Sequence, residues 1–453
     1  MSYTNQYESS GAFRGLKSTD DFAQYRIPEN FNDMLLMQMP GPGRSFQLLM
    51  SRLGRRKPTP NQEFKWATWE LPTEVGTFTA TEIYTDSGAS SAATGTVTAG
   101  DIFYIKLNND ADETPSGCAD DLVVDDVVIV EDADDSLDQY FHARVINIDR
   151  GSSQSVVGVK ALNTVSGTTV QTMDTVAKIG NAISEGGTIP DSIDYIESQA
   201  YNYTQKIWTP MEITPEAMAA EVIYGGPEYQ RTKKEKALLH QLAREKAFLF
   251  GDVSRSQASN TKSLYTSKGA LYFTPSANKL NYVGDATHTG TWEASGKAWL
   301  EAKLELLSRY VGRGTTGRKI GFCGGPAILG INQLAESHGT INIEPGQDVF
   351  GLQVARWLTP VGVTVDLIVH PLFNQRSSLQ NAIFIFEPEN YTYRPLVGNG
   401  INRDMKFMKD PTISESGYDK IDAIKEGWIT QAGVEVHYPN TQMLLMGVGS
   451  NNT

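Results

Sequence analysis

The chain has 453 residues, 40% of them hydrophobic and 20% charged, with a formal net charge of −14. That length supports two to four domains and a sizeable core. No apolar run approaches bilayer thickness, and the first residues lack the basic and apolar regions of a secretion signal, so folding in a cytosol is expected.

Cys118 and Cys323 lie far apart, which argues against a disulfide scaffold or a cysteine-built zinc site. The Asn-x-Ser/Thr matches at Asn202, Asn390 and Asn451 mean little without a secretion signal. The charge is uneven. Between Gly76 and Arg150, 16 Asp or Glu stand against Lys106, Arg144 and Arg150, so −13 of the −14 sits there. Such asymmetry suggests faces that meet different surroundings.

In chain order, residues 1–30 are polar and aperiodic and read as an extended arm. Residues 31–37 and 46–53 have the apolar spacing of short helices, stopped by Pro40-Gly41-Pro42-Gly43 and by Gly54 and Pro58. Arg52, Arg55, Arg56 and Lys57 make this region locally basic. They suit either non-specific phosphate contact or neutralisation of an acidic neighbouring subunit. Residues 63–70 alternate bulky and polar and predict a strand.

Residues 76–180 change character. Asp101–Leu107, Leu122–Val130 and Phe141–Ile148 read as short strands between Gly-, Ser-, Thr- and Asp-rich turns, the pattern of a small β-barrel or sandwich. Its ends leave and rejoin the strand 63–70 and a long predicted strand, Ser192–Ile213, so it reads as an insertion at an exposed hairpin tip. Thr214 and Pro215 form an N-cap and first-turn proline. A long charged helix follows over Pro227–Gly251, with Leu239, Leu242, Ala243, Ala247, Leu249 and Phe250 as its apolar stripe. From Thr291 the pattern becomes α/β. Helices are predicted through Trp299–Val311 and Pro326–Ala335. Strands are predicted at Lys319–Cys323, Thr364–Val369, Ala382–Phe386, Gly427–His437 and Gln442–Gly447.

Three motifs invite chemistry. Gly312–Gly317 fits G-x-G-x-x-G, but it follows a helix and precedes a strand, the wrong order for a phosphate at a helix N-terminus. Gly321-Phe-Cys323-Gly-Gly325 has the form of a nucleophile elbow with Asp366 and His370 behind it. Asp366 and His370 are only four residues apart, whereas a catalytic acid and base need independent placement. The acidic runs at Asp120-Asp121, Asp125-Asp126 and Glu131–Asp138 offer oxygen ligands for a cation without EF-hand spacing. His142, His240, His288, His338 and His437 show no metal-ligand spacing. The residues therefore point to no catalytic centre, no metal and no cofactor.

The order of elements carries a resemblance. Glu185-Gly186 precedes the returning strand, Asn202-Tyr-Thr-Gln205 lies on it, and the long helix ends Phe248-Leu-Phe-Gly251. Lys319-Ile-Gly-Phe-Cys-Gly324, Gly433-Val-Glu-Val436, Pro439-Asn440 and Met446-Gly447 follow. This order resembles the major capsid proteins of tailed bacteriophages, of Hong Kong 97-like fold, in the subfamily with a β-domain inserted in the extended loop. The resemblance implies an α+β fold. Its parts would be an N-terminal arm (1–60), an extended loop (61–75 and 186–214) and an inserted all-β domain (76–185). A peripheral domain (215–290) with a spine helix (227–251) and an axial domain with returning peripheral strands (291–453) would complete it.

The resemblance also implies a non-enzymatic protein that self-assembles through hexamers and pentamers into an icosahedral head around double-stranded DNA. It would be made in the host bacterial cytoplasm and reside in the virion. Portal, scaffold or decoration proteins would be its partners, and no membrane would be involved. Inter-subunit contacts would fall to Phe64, Trp66, Trp69, Tyr195, Tyr201, Tyr203 and Trp208. Leu239, Leu242, Ala243 and Phe250 would seat the spine helix. A cellular nanocompartment shell of the same fold and a cysteine hydrolase using Cys323 are the alternatives.

Overall fold

The computed structural model describes residues 55–68, 76–78, 82–109, 118–132, 140–170, 173–193, 197–221, 227–257, 262–308, 318–338, 343–345, 355–358, 362–409 and 424–452. The helices expected near residues 31–53, the glycine motif at 312–317, and Arg52, Trp69, Tyr195 and much of the acidic run after Asp132 lie outside these residues. The chain divides into two compact units, Ala67–Gln199 and the remainder.

The inserted unit is built on period-two alternation. Its main sheet has seven antiparallel strands in the order Gly76–Thr77, Thr175–Asn181, Asp126–Glu131, Tyr140–Asp149, Gln154–Ala161, Ile102–Asn108 and Ile83–Tyr84. Alternate residues of four central strands point into one core: Phe103, Ile105 and Leu107; Val128 and Val130; Phe141, Ala143 and Val145; Val157 and Val159. A two-stranded sheet, Thr96–Val97 with Val165–Thr169, adds Val97 to that core. The strand expected from Leu122 starts only at Asp126. The Asp126 carboxylate accepts from the Val123 N–H at 2.8 Å, and Asp125 has φ 77°, so the preceding residues form a turn.

The second unit begins with β1 (Glu63–Thr68) and β2 (Ser198–Tyr203), which pair as a two-stranded sheet. The single long strand expected over 192–213 is broken at Thr204, and β3 (Gln205–Ile213) leaves for another sheet. There, β3 runs antiparallel to β9 (Ile424–Val436) along its full length. β7 (Tyr391–Pro395) and β8 (Lys406–Met408) pair antiparallel with the opposite edge of β9. The long helix α1 (Glu228–Phe250) follows β3; its 23 residues span about 34 Å. It packs on β3 and β9.

A mixed seven-stranded sheet forms the rest. Helices α2 (Trp292–Ser308) and α3 (Gly325–His338) accompany its central strands β4 (Arg318–Cys323), β5 (Thr364–Val369), β6 (Ile383–Phe386) and β10 (Met443–Met446). Alternation again divides the side chains. Gly321, Cys323, Val365, Leu367, Ile383, Ile385, Met443 and Leu445 face α2 and α3, where Trp292, Trp299, Leu304, Ile331 and Leu334 complete a core. Ile320, Phe322, Ile368, Phe384, Phe386 and Leu444 face the other way, into a core shared with Phe248 and Leu249 of α1 and Ala432, Val434 and Val436 of β9. The end of α1 thereby locks the two sheets together.

Candidate functional site

The helix α1 buries only part of the stripe its sequence suggests. Leu242 and Phe250 pack, partly buried, against the core shared by the two sheets, whereas Leu239 is 38% exposed and falls outside the expected apolar seat. The buried residues are His240, Arg244, Glu245, Phe248 and Leu249. Polar contacts tie this face to the sheet. Tyr229 donates to Glu426 Oε2 at 2.6 Å, and Trp428 Nε1 donates to the Lys233 carbonyl at 3.2 Å. His240 lies between the Thr209 and Thr430 hydroxyls at 2.9 and 2.7 Å, bridging β3 and β9. Burial and then the Arg244 charge pull its pKa down to about 4. Arg244 donates to the Tyr393 hydroxyl, and Glu245 accepts from His370 Nε2 at 3.2 Å.

The face of the β3–β9–β7 sheet away from α1 receives β1 and β2. Gly433 makes the approach possible, since a Cβ there would stand 2.6 Å from the Tyr203 carbonyl oxygen and 2.9 Å from the Phe64 ring. Phe64 stacks on Trp66 at 6.0 Å, and Trp66 meets Phe273 at 5.9 Å. The Arg394 guanidinium covers Phe64 at 5.2 Å and is paired with Glu435. Burial pushes the Glu435 carboxyl up, but the His437 hydrogen bond and the Arg394 charge outweigh it and hold the group below its usual range. On β2, the fully buried Asn202 donates to the Val434 carbonyl at 2.7 Å and accepts from the Lys268 N–H at 2.8 Å. Sequence reasoning missed this anchor because its partners lie 66 and 232 positions away.

The aromatic residues expected to meet neighbours therefore divide into two groups. Phe64, Trp66 and Tyr203 are buried within this chain, at 5%, 8% and 9% exposure, so the expectation of outward contact is corrected for these three. Tyr201 and Trp208 are 49% and 45% exposed. Trp208 sits where β3 alternation points away from α1. Arg55, Arg56 and Lys57 are exposed on a segment that adds to the β7 edge in parallel, with Lys57 N donating to the Tyr393 carbonyl at 3.0 Å. Arg56 is neutralised by Asp404 at 2.9 Å.

The elbow residues are not assembled for catalysis. Cys323 is fully buried on the α2/α3 side, where its thiol reaches the Ile368 carbonyl. His370 follows β5 and points to Glu245 of α1 on the other side, and Asp366 pairs with Arg356. Among the described residues no group of three or more His, Cys, Asp or Glu is placed to hold a metal, and no helix is long and apolar enough to cross a membrane. In the acidic segment, Asp125 pairs with Arg144 and Asp126 with Lys178.

Residues 6–449 match the family model described as SU10 major capsid protein. The chain belongs to that family. This major capsid protein self-assembles into the icosahedral head shell of a phage, as the sequence resemblance implies. The α+β order of arm-side strands, inserted β-domain, long helix and final mixed sheet is that expected of the Hong Kong 97-like class.

Among solved structures, the capsid protein is similar to the holo-SrpI encapsulin complex from Synechococcus elongatus PCC 7942, at 10% identity and a TM-score of 0.38. The match covers 57% of this chain and 79% of that one. Mycobacterium phage Patience gives 10%, 0.38, 60% and 79% in the same order. The capsid of Cyanophage P-SCSP1u gives 11%, 0.36, 60% and 81%. Scores this low do not separate a phage head from a nanocompartment; the family match does. No curated protein matches the chain.

Proposed function

We propose that the strands β1 and β2 are the root of an extended loop that reaches over a neighbouring subunit, and that the exposed Tyr201 and Trp208 contact neighbours. The observation that carries this reading is the seat of β1 and β2 on the sheet. Phe64, Trp66 and Asn202 fix the loop's base within its own subunit. Arms exchanged between copies multiply contact area without enlarging each subunit's core.

The protein works as a structural subunit and not as an enzyme. Hexamers and pentamers form through the mixed sheet, and the loop ties them to their neighbours. Double-stranded DNA packaged within the head is met by non-specific contact, for which Arg55 and Lys57 are available. Portal, scaffold or decoration proteins are the further partners, and the chain is made in the host bacterial cytoplasm. The inserted unit faces outward, because packaged DNA repels the −13 carried between Gly76 and Arg150.

Cryo-electron microscopy of assembled heads tests the reading. Loops crossing onto the adjacent subunit and inserted units on the outer surface are the expected result. Loops folded back on their own subunit, or inserted units lining the DNA, refute it.

A further inference from the structure

The buried guanidinium of α1 is short of acceptors. Arg244 is 7% exposed, and among the described residues no carboxylate pairs with it directly. Its Nη2 donates to the Tyr393 hydroxyl at 3.2 Å, and that hydroxyl donates on to Asp404 Oδ1 at 2.7 Å. The other oxygen of Asp404 is taken by Arg56. One carboxylate thus serves two guanidinium groups. Nη1 of Arg244 donates to the Met405 sulfur at 3.1 Å, and Nε has no partner. A thioether is a weak acceptor, so Nη1 is poorly satisfied and Nε is left with the full cost of its desolvation.

Met405 is held there by a backbone its residue type resists. Its φ of 44° is left-handed, a conformation that costs energy for a residue with a long side chain. Both sides of the turn are fixed to β9. The Gln431 N–H donates to the Arg403 carbonyl at 2.8 Å, and Phe407 packs on Trp428 at 5.1 Å. Strain that the surroundings impose in this way is a pointer to function. Met405 is also partly exposed, whereas Met173, Met211 and Met443 are buried.

We propose that Met405 is a site of oxidation by hydrogen peroxide, and that its sulfoxide tightens the contact with Arg244. A sulfur lone pair attacks one peroxide oxygen; the S–O bond forms and the O–O bond breaks. The departing hydroxide takes the proton of the transferred oxygen and leaves as water. Sulfur loses two electrons, the peroxide gains them, and nothing else is consumed. The new oxygen is a strong acceptor beside a guanidinium with one weakly bonded and one unpartnered nitrogen. Charge-assisted hydrogen bonds are about twice as strong as neutral ones. Oxidation of a methionine usually loosens a core by placing a polar group among apolar ones; here the polar group arrives next to a buried cation. The contact joins α1 to β7 and, through Asp404 and Arg56, to the segment that adds to the β7 edge. Peroxide therefore fastens that segment more firmly to the sheet.

Treating the folded full chain with hydrogen peroxide, then reading peptide masses and hydrogen exchange, tests this. Met405 is expected to gain one oxygen while Met173, Met211 and Met443 stay unmodified, and exchange at residues 403–408 is expected to slow about tenfold. Met405→Leu under the same treatment separates this sulfur from the others and is expected to show no slowing. Untreated Met405→Gln places an amide oxygen beside Arg244 and is expected to exchange more slowly there than Met405→Leu. A Met405 that stays unoxidised when Met218, 42% exposed, is fully converted overturns the proposal. So does an oxidised Met405 with unchanged or faster exchange, or equal slowing in Met405→Leu. The wild-type masses and exchange decide the matter even if a variant fails to fold.

Discussion

His240 makes the long helix an acid-sensitive joint. In the folded chain its ring sits between two threonine hydroxyls with no access to water, and its pKa falls from 6.5 to about 4. The unfolded chain takes up this proton near the ordinary value, the folded chain only near the lowered one. The stability it contributes is therefore complete above about pH 6.5, declines as pH falls, and is gone below about pH 4. Across that interval the linkage is worth about 3 kcal/mol, a large share of the stability of a typical domain.

His240→Gln keeps a donor and an acceptor between the threonines and cannot titrate. Urea unfolding of dissociated subunits at a series of pH values gives the difference in stability between wild type and variant. That difference is expected to shift against the wild type by about 3 kcal/mol between pH 7 and pH 4. Every other titrating group is common to both proteins and cancels. A difference constant across the range refutes the reasoning.

Leu242→Pro removes a backbone hydrogen bond inside α1 and clashes with the preceding turn, at a cost of about 3 kcal/mol or more; negative-stain images are expected to show no shells, and normal shells refute it. Gly433→Ala puts a methyl group against the Tyr203 carbonyl and the Phe64 ring. Hydrogen exchange at 63–66 and 200–203 is expected to speed up while the α2 and α3 core stays protected, and unchanged exchange at those strands overturns the proposed seat. Phe141→Ala empties a fully buried position of the inserted unit and costs about 3–5 kcal/mol there. Calorimetry is expected to show one transition moving down while the other holds; a single shifted transition shows that the units unfold together. Trp208→Ala leaves subunit stability within about 0.5 kcal/mol, as exposed sites do, and lowers the yield of shells; an unchanged yield removes Trp208 from the contact.

Much of this architecture is legible in the residues. Short β-rich and apolar runs give the central strands of both large sheets, and Thr214-Pro215 caps its helix through the Thr214 hydroxyl as its residue types predict. The long helix is legible in extent but not in orientation. Its inward face holds His240, Arg244 and Glu245, whose partners Thr430, Tyr393 and His370 are more than a hundred positions away. A periodicity argument counts only apolar residues, so it assigns Leu239 to the core and leaves the buried histidine in solvent. The break at Thr204 is hidden for a related reason. β2 and β3 run on as one extended stretch with only Thr204 between them, and the choice of pairing partner, β1 or β9, separates them. Trp66 and Trp208 are likewise indistinguishable by type; Phe273 covers the first.

The chain enters its inserted unit from β1 and leaves it through β2, and these strands lie side by side. Neighbouring strands are about 5 Å apart, so the unit hangs from two points that almost touch. Such an attachment asks only that the termini of what it carries also lie close together. The residues from 67 to 199 are then an interchangeable cassette. A coding sequence for another compact domain can replace them without altering the seat formed by Phe64, Trp66 and Asn202. With the inserted unit outward, as proposed, every head would display the new domain at the copy number of the shell itself, making the lattice a fixed-valency carrier.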